Sequence, residues 1–221
     1  MNIKRKYTLV NTDTTTIGHH TLYRIMALRD IPRYGVKAGD IGGYIEKENN
    51  LDHAGNCWIS NNAKVFGNAR VSDNAHVFNS AKICGAAKVS DNSMVYDNAI
   101  ISGDAEVSGN ANVFNTAVVT HRAFVAGDAE VFGCAYISGD AEVINNAKVY
   151  GKARISGHSH VKDNATVHGH SKVSEYARVS GHSRVCENAK VSGYVVLFAH
   201  AEVCGEVTLV GTNCISDLIH K

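Results

Sequence analysis

The chain has 221 residues, with 22 Lys and Arg against 21 Asp and Glu, for a net charge of +1. That length holds one domain, or one domain with an appendage, and near-neutrality excludes the broad basic footprint that draws a protein to nucleic acid or to an anionic membrane. One proline against 20 glycines, with 7% aromatic and 19% charged residues, excludes a disordered linker and predicts a chain that turns often and regularly.

The first residues, MNIKRKYTLVNTD, carry charge without an apolar core, so they are not a secretory signal, and the expected location is the cytoplasm. No apolar run reaches the length of a membrane span. Cysteines stand at 57, 84, 134, 186, 204 and 214 without any CxxC, and the expected state is reduced thiol throughout. Cys134, at a turn, reads as a small apolar residue. Residues 1–56 form the expected N-terminal β-hairpin and turn cap. Within it, Lys6–Val10 and Leu22–Leu28 read as two strands around a polar loop of Thr and His, and Gly35, Gly39, Gly42 and Gly43 make a turning segment. A hairpin here would cover an exposed strand edge.

Residues 57–216 are a repeat. An aliphatic residue stands at Ile59 and at every sixth position after it: Val65, Val71, Val77, Ile83, and so on to Leu209 and Ile215. The series runs without a single insertion. Four residues after each aliphatic comes a small one, usually Ala, with Ser at 93, 159, 171 and 183. A helix cannot use period six. A short strand A-x-V-x sends Ala and Val inward and the x residues outward, and the following Gly/Asn/Asp pair turns the corner. Taken at every third hexad, one outward series is Phe78, Tyr96, Phe114, Phe132 and Tyr150. Three hexads per coil therefore bring like residues into ladders, and nine coils at ~4.8 Å make a rod roughly 43 Å long. The small-residue column decays at Val195, Val207 and Asn213, so residues 207–221 are expected to close the rod, with 217–221 as a tail.

The hexapeptide, for example Val65-Phe66-Gly67-Asn68-Ala69-Arg70, resembles that of the left-handed β-helix hexapeptide-repeat superfamily, and the resemblance covers the whole repeat. With its N-terminal segment, the chain also resembles the YdcK-like group of bacterial and phage proteins. The resemblance implies an all-β, left-handed parallel β-helix, a triangular prism of about nine coils, and a parallel homotrimer. It also implies, as one alternative, an acyltransferase using acetyl-CoA with a histidine general base.

Outward residues divide into three groups. Tyr96, Phe114, Phe132 and Tyr150, with Ile100, Val118 and Tyr136 across the same turn, form an apolar stripe expected at a subunit interface. Above it, the same corner continues as Lys152, Arg154, His168, His170, Lys172 and Lys190; round the next corner lie His158, His160, Tyr176, Arg178 and Tyr194. These are the candidate sites for a small anion such as a phosphate or nucleotide. Charge is segregated to match, with seven acidic residues against one basic in 97–145, and eight basic against three acidic in 146–200. His168, Cys186 and Cys204 share one column, but a straight column converges poorly on a tetrahedral ion, and no metal is expected. Cys186 and Cys204 have a spacing that permits a disulfide, against which the expected compartment weighs.

Acyl transfer would need only one placed base, for which His168 or His170 are the candidates, but an acceptor pocket needs irregular structure and the hexads run without a break. The function read from the sequence is thus a non-enzymatic, homo-oligomeric binding or scaffold protein without a cofactor. Nucleic acid is not an expected partner, because basic and aromatic residues do not interleave.

Overall fold

The computed structural model describes residues 5–220. It is an all-β parallel solenoid with three hexads to the turn, each strand pairing with the third one after it. The cap begins with β1 (Tyr7–Ile17), β2 (His20–Ala27) and β3 (Ile41–Ile45). Among the described residues, the coils form three sheets of 12, nine and ten strands. The first sheet runs from the cap through Lys64–Val65 to Thr208–Leu209, the second from Arg70–Val71 to Cys214–Ile215, and the third from Trp58–Ile59 to Leu218–His220.

Each outward residue donates its N–H to the carbonyl 17 positions ahead, as in Lys82 to Ala99 and Ile100 to Ala117, both at 2.9 Å. Strands therefore pair with residue i opposite i+18, as Ile100 with Val118 and Val118 with Tyr136. Up to the last coil, the Val/Ile column and the Ala column are inward and buried, for instance Ala111 and Val113 at 0% exposure. Where Ser replaces Ala, its hydroxyl donates to a carbonyl three residues back: Ser93 to Ser90 at 2.6 Å and Ser171 to His168 at 2.7 Å. The polar atom is thus satisfied inside the column. Corner residues adopt positive φ, among them Asn79 at 58° and Gly127 at 73°. Asn and Asp tolerate this conformation by local side-chain bonding and Gly by lacking a Cβ.

The two ends of the rod depart from the sequence expectation in three ways. Residues 11–21, expected as a polar loop, are strand apart from the turn at Gly18 and His19: β1 and β2 pair antiparallel from Tyr7↔Ala27 to Ile17↔His20, with a register shift between Val10 and Thr14. The β-branched Thr14, Thr15 and Thr16 favour extended backbone. Next, coiling starts before residue 57. Tyr44 and Ile45 of β3 pair in parallel with Lys64 and Val65, and Leu51 bridges Val71. The hairpin thus continues the first sheet as well as covering its end. Finally, residues 218–220, assigned to a tail, pair as a strand with Glu202–Cys204.

The junction is tight. A Cβ on Gly42 would sit 2.6 Å from the Ile59 carbonyl oxygen and 2.7 Å from the Trp58 ring, so only glycine lets β3 cross here. Glu46 accepts from Gly67 N–H at 2.7 Å and contacts His20 Nδ1 at 2.7 Å, tying hairpin to coil. Lys6 is fully buried, with Nζ 3.0 Å from Cys57 Sγ and donating to the Ala54 carbonyl at 3.2 Å.

Ala111→Leu should overpack this interior and destabilise the protein by about 1–3 kcal/mol. Urea denaturation of the variant checks this, and an unchanged midpoint would contradict the inward column.

Candidate functional site

The coil geometry turns the outward series into columns. On the corner between third and first sheets, Phe78, Tyr96, Phe114, Phe132 and Tyr150 stack with ring centroids 4.7–4.9 Å apart and planes within 7°. The backbone rung sets that spacing. The ladder is longer than the sequence suggested. His168 stacks on Tyr150 at 4.8 Å, His76 on Phe78 at 4.6 Å, and Tyr34 of the cap on His76 at 4.2 Å. The rings of the ladder are already half-buried within their own chain. Ile100 and Val118 are half-buried too, and of the predicted apolar stripe only Tyr136 is exposed, at 37%.

At the upper end the chemistry changes. Arg154, Lys172 and Lys190 pair rung to rung in the first sheet. They, Lys152 and His170 are exposed. Among the described residues, none of these five makes an ion pair; Arg122, Lys148 and Arg184 elsewhere on the rod do, while Lys64 and Lys82, paired rung to rung at the lower end of the same sheet, do not. Arg122 donates to Asp140 at 2.8 Å, Lys148 lies 3.2 Å from Glu130, and Arg184 lies 3.6 Å from Glu202. His168 differs from its neighbours. Its Nε2 is buried with no hydrogen-bond partner, and burial first, then the nearby Arg184, pulls its pKa below the ordinary histidine value. It is therefore a neutral imidazole beside a column of unpaired cations.

The second predicted cluster is also assembled, but differently. His158, Tyr176 and Tyr194 form their own ladder at 5.1 and 4.9 Å, with Tyr194 60% exposed. His160 is engaged by Glu142, with Nδ1 at 2.8 Å, and His158 lies 3.5 Å from Asp140. Arg178 is exposed and pairs rung to rung with His160. These histidines face carboxylates, so this corner is less free to receive an anion than the first.

Two cysteine expectations are corrected. Cys134 is exposed, because its corner position points away from the interior. Cys186 and Cys204 are joined as a disulfide with Cα atoms 4.8 Å apart, since the ladder sets one directly above the other.

Sequence reasoning missed a hollow of about 430 Å³ between cap and first coil, lined by residues 47–53 and 68–70. His53 sits there, stacked on Tyr7 at 4.4 Å. Its Nδ1 accepts from Lys6 N–H at 3.2 Å, and its Nε2 is buried without a partner. The charged walls neutralise one another, with Arg70 donating to Asp52 at 2.7 Å, so an anion finds no net attraction there. The space arises from the non-repeating segment 46–57 and left no periodic signal.

Among the described residues, no helix is long and apolar enough to cross a membrane. In the comparisons with known proteins, no family model matches the chain and no curated protein is similar enough to count as a relative.

The ladder carries a pH response at its lower end. His76 faces Ser60 Oγ at 2.9 Å and is wedged between Tyr34 and Phe78. Burial lowers its pKa from 6.5 to about 4, so the unfolded chain binds the proton more tightly than the folded one. This contribution to stability is complete above about pH 6.5 and is lost as the pH falls towards 4, by up to about 3 kcal/mol. His76→Phe should remove that part of the acid sensitivity, read as the difference in urea midpoint between pH 7 and pH 4.5. Equal sensitivity in the two proteins would contradict it.

Proposed function

We propose that the chain is a non-enzymatic, homo-oligomeric binding protein of the left-handed hexapeptide-repeat type, a triangular prism that holds a small phosphate-bearing anion in clefts between subunits. The observation that carries this is the run of unpaired cations, Lys152, Arg154, Lys172 and Lys190 with His170, on the corner where the apolar stripe stops. Like charges one rung apart repel, and a bound anion relieves the repulsion. A parallel trimer packed along the Phe114–Val118 stripe would bring three such columns to three clefts. Arg154 would clamp a phosphate through two contacts, the lysines would add point charge, and neutral His168 would border the site.

Phe114→Asp with Val118→Asp should convert the oligomer to monomers or aggregates. A wild type that sediments as a monomer at micromolar concentration contradicts the interface. Arg154→Ala with Lys172→Ala should abolish binding of nucleotides in calorimetry while leaving the melting temperature nearly unchanged, because repulsion is relieved. Wild-type binding should also weaken as salt rises.

One observation favours the alternative, acyl transfer from acetyl-CoA. A neutral imidazole, as at His168, is the protonation state a general base requires. Acetyl transfer that is lost in His168→Ala or His170→Ala would establish the enzyme. Binding without turnover would establish the holding role.

A further inference from the structure

The last coils carry a further cluster, on the same corner as the cationic column and continuing the His168 column upward. Cys186 and Cys204 occupy consecutive rungs and are 6% and 2% exposed. Glu202 stands two residues before Cys204 on the same strand, which extends through Glu202–Cys204. The two sulfurs and a Glu202 carboxylate oxygen all lie within 4.8 Å of one another. Cys204 Sγ and Glu202 Oε1 are 3.6 Å apart. Ligands on two vertices of a zinc tetrahedron, with bonds of about 2.3 Å to sulfur and 2.0–2.2 Å to oxygen, stand about 3.5 Å apart. A straight column of two cysteines cannot surround an ion, but a third donor from beside the column makes a triangle and leaves a fourth position for water. Arg184 lies 3.6 Å from Glu202. Two thiolates and a carboxylate around a divalent ion leave one negative charge, which this guanidinium balances from outside.

We propose that, in the reduced protein, Cys186, Cys204 and Glu202 bind a thiophilic divalent cation, zinc by preference, and that the disulfide and the ion are alternative staples of the same two rungs. A dithiol reduces the disulfide to two thiols and is itself oxidised to a disulfide; the ion then displaces both thiol protons. A disulfide oxidant reverses this, taking two electrons from the thiolates, releasing the ion and, with two protons from water, leaving as two thiols. The place suits a staple. Beyond it the interior thins, since Leu209 and Ile215 are only half-buried, unlike their equivalents lower in the rod, and a solenoid's final coil has a neighbour on one side only.

The test uses the full chain carrying Cys134→Ser and Cys214→Ser, which removes the exposed thiols. After reduction and removal of the dithiol, cobalt(II) should bind at about one ion per chain, with a thiolate charge-transfer band and tetrahedral ligand-field bands, and zinc should displace it. Further substitution of Cys186→Ser should abolish the thiolate bands. Glu202→Gln, which keeps the shape and tests the site without removing a sulfur, should weaken zinc by at least the roughly 10–100-fold that loss of an outer-shell partner costs. Glutathione disulfide should release the metal and lower the intact mass by two hydrogens. Absence of the thiolate band in the reduced protein overturns the proposal. So does an equal band in the oxidised protein, or unchanged zinc affinity in Glu202→Gln.

Discussion

The constraint on which everything else rests is the backbone bond between residue i and the carbonyl of residue i+17. It fixes the coil at three hexads, so any side chain is set directly over its counterpart one coil earlier. Burial then acts on columns rather than on residues. Val and Ala fill the interior because only small and medium side chains repeat there without collision. Outside, the same repetition forces like on like. Aromatic rings gain by stacking, amides bond down the column as Asn92 does to Asn110 at 3.1 Å, and cations gain nothing. The unpaired basic column is therefore a cost that the fold itself does not require, and that is why it draws attention as a site.

Much of this was legible in the sequence because period six survives any local change of chemistry. The inward column, the turning pairs and the Phe78–Tyr150 ladder could each be read by counting. The missing parts break the count. Leu51 follows Ile45 by six, but Ile59 follows Leu51 by eight, so the first coil is out of step and looks like part of the cap. Tyr34 reaches the ladder from a segment with no period at all. Glu202 joins the cysteine column from two residues away, a diagonal neighbour that column counting passes over. Cys134, read as a small apolar residue at a turn, is set outside by its place in the hexad.

The cap follows different rules. It is held by irregular, specific contacts: a buried lysine beside a thiol, Arg24 over the Tyr44 ring at 4.0 Å, and the Glu46 bridge to Gly67. Such contacts do not recur and cannot be inferred from spacing. They also make this end unable to accept another coil, and so they terminate the stacking.

Because the coils are interchangeable in register, the rod is a ruler graduated in units of one coil. Duplication or loss of any three consecutive hexads between the His76 rung and the Arg154 rung would leave every column continuous. It would shift the basic corner along the axis by about 4.8 Å relative to the cap. The distance between the two ends can thus be lengthened or shortened over evolutionary time without redesigning either of them, and a partner that touches both would select the number of coils.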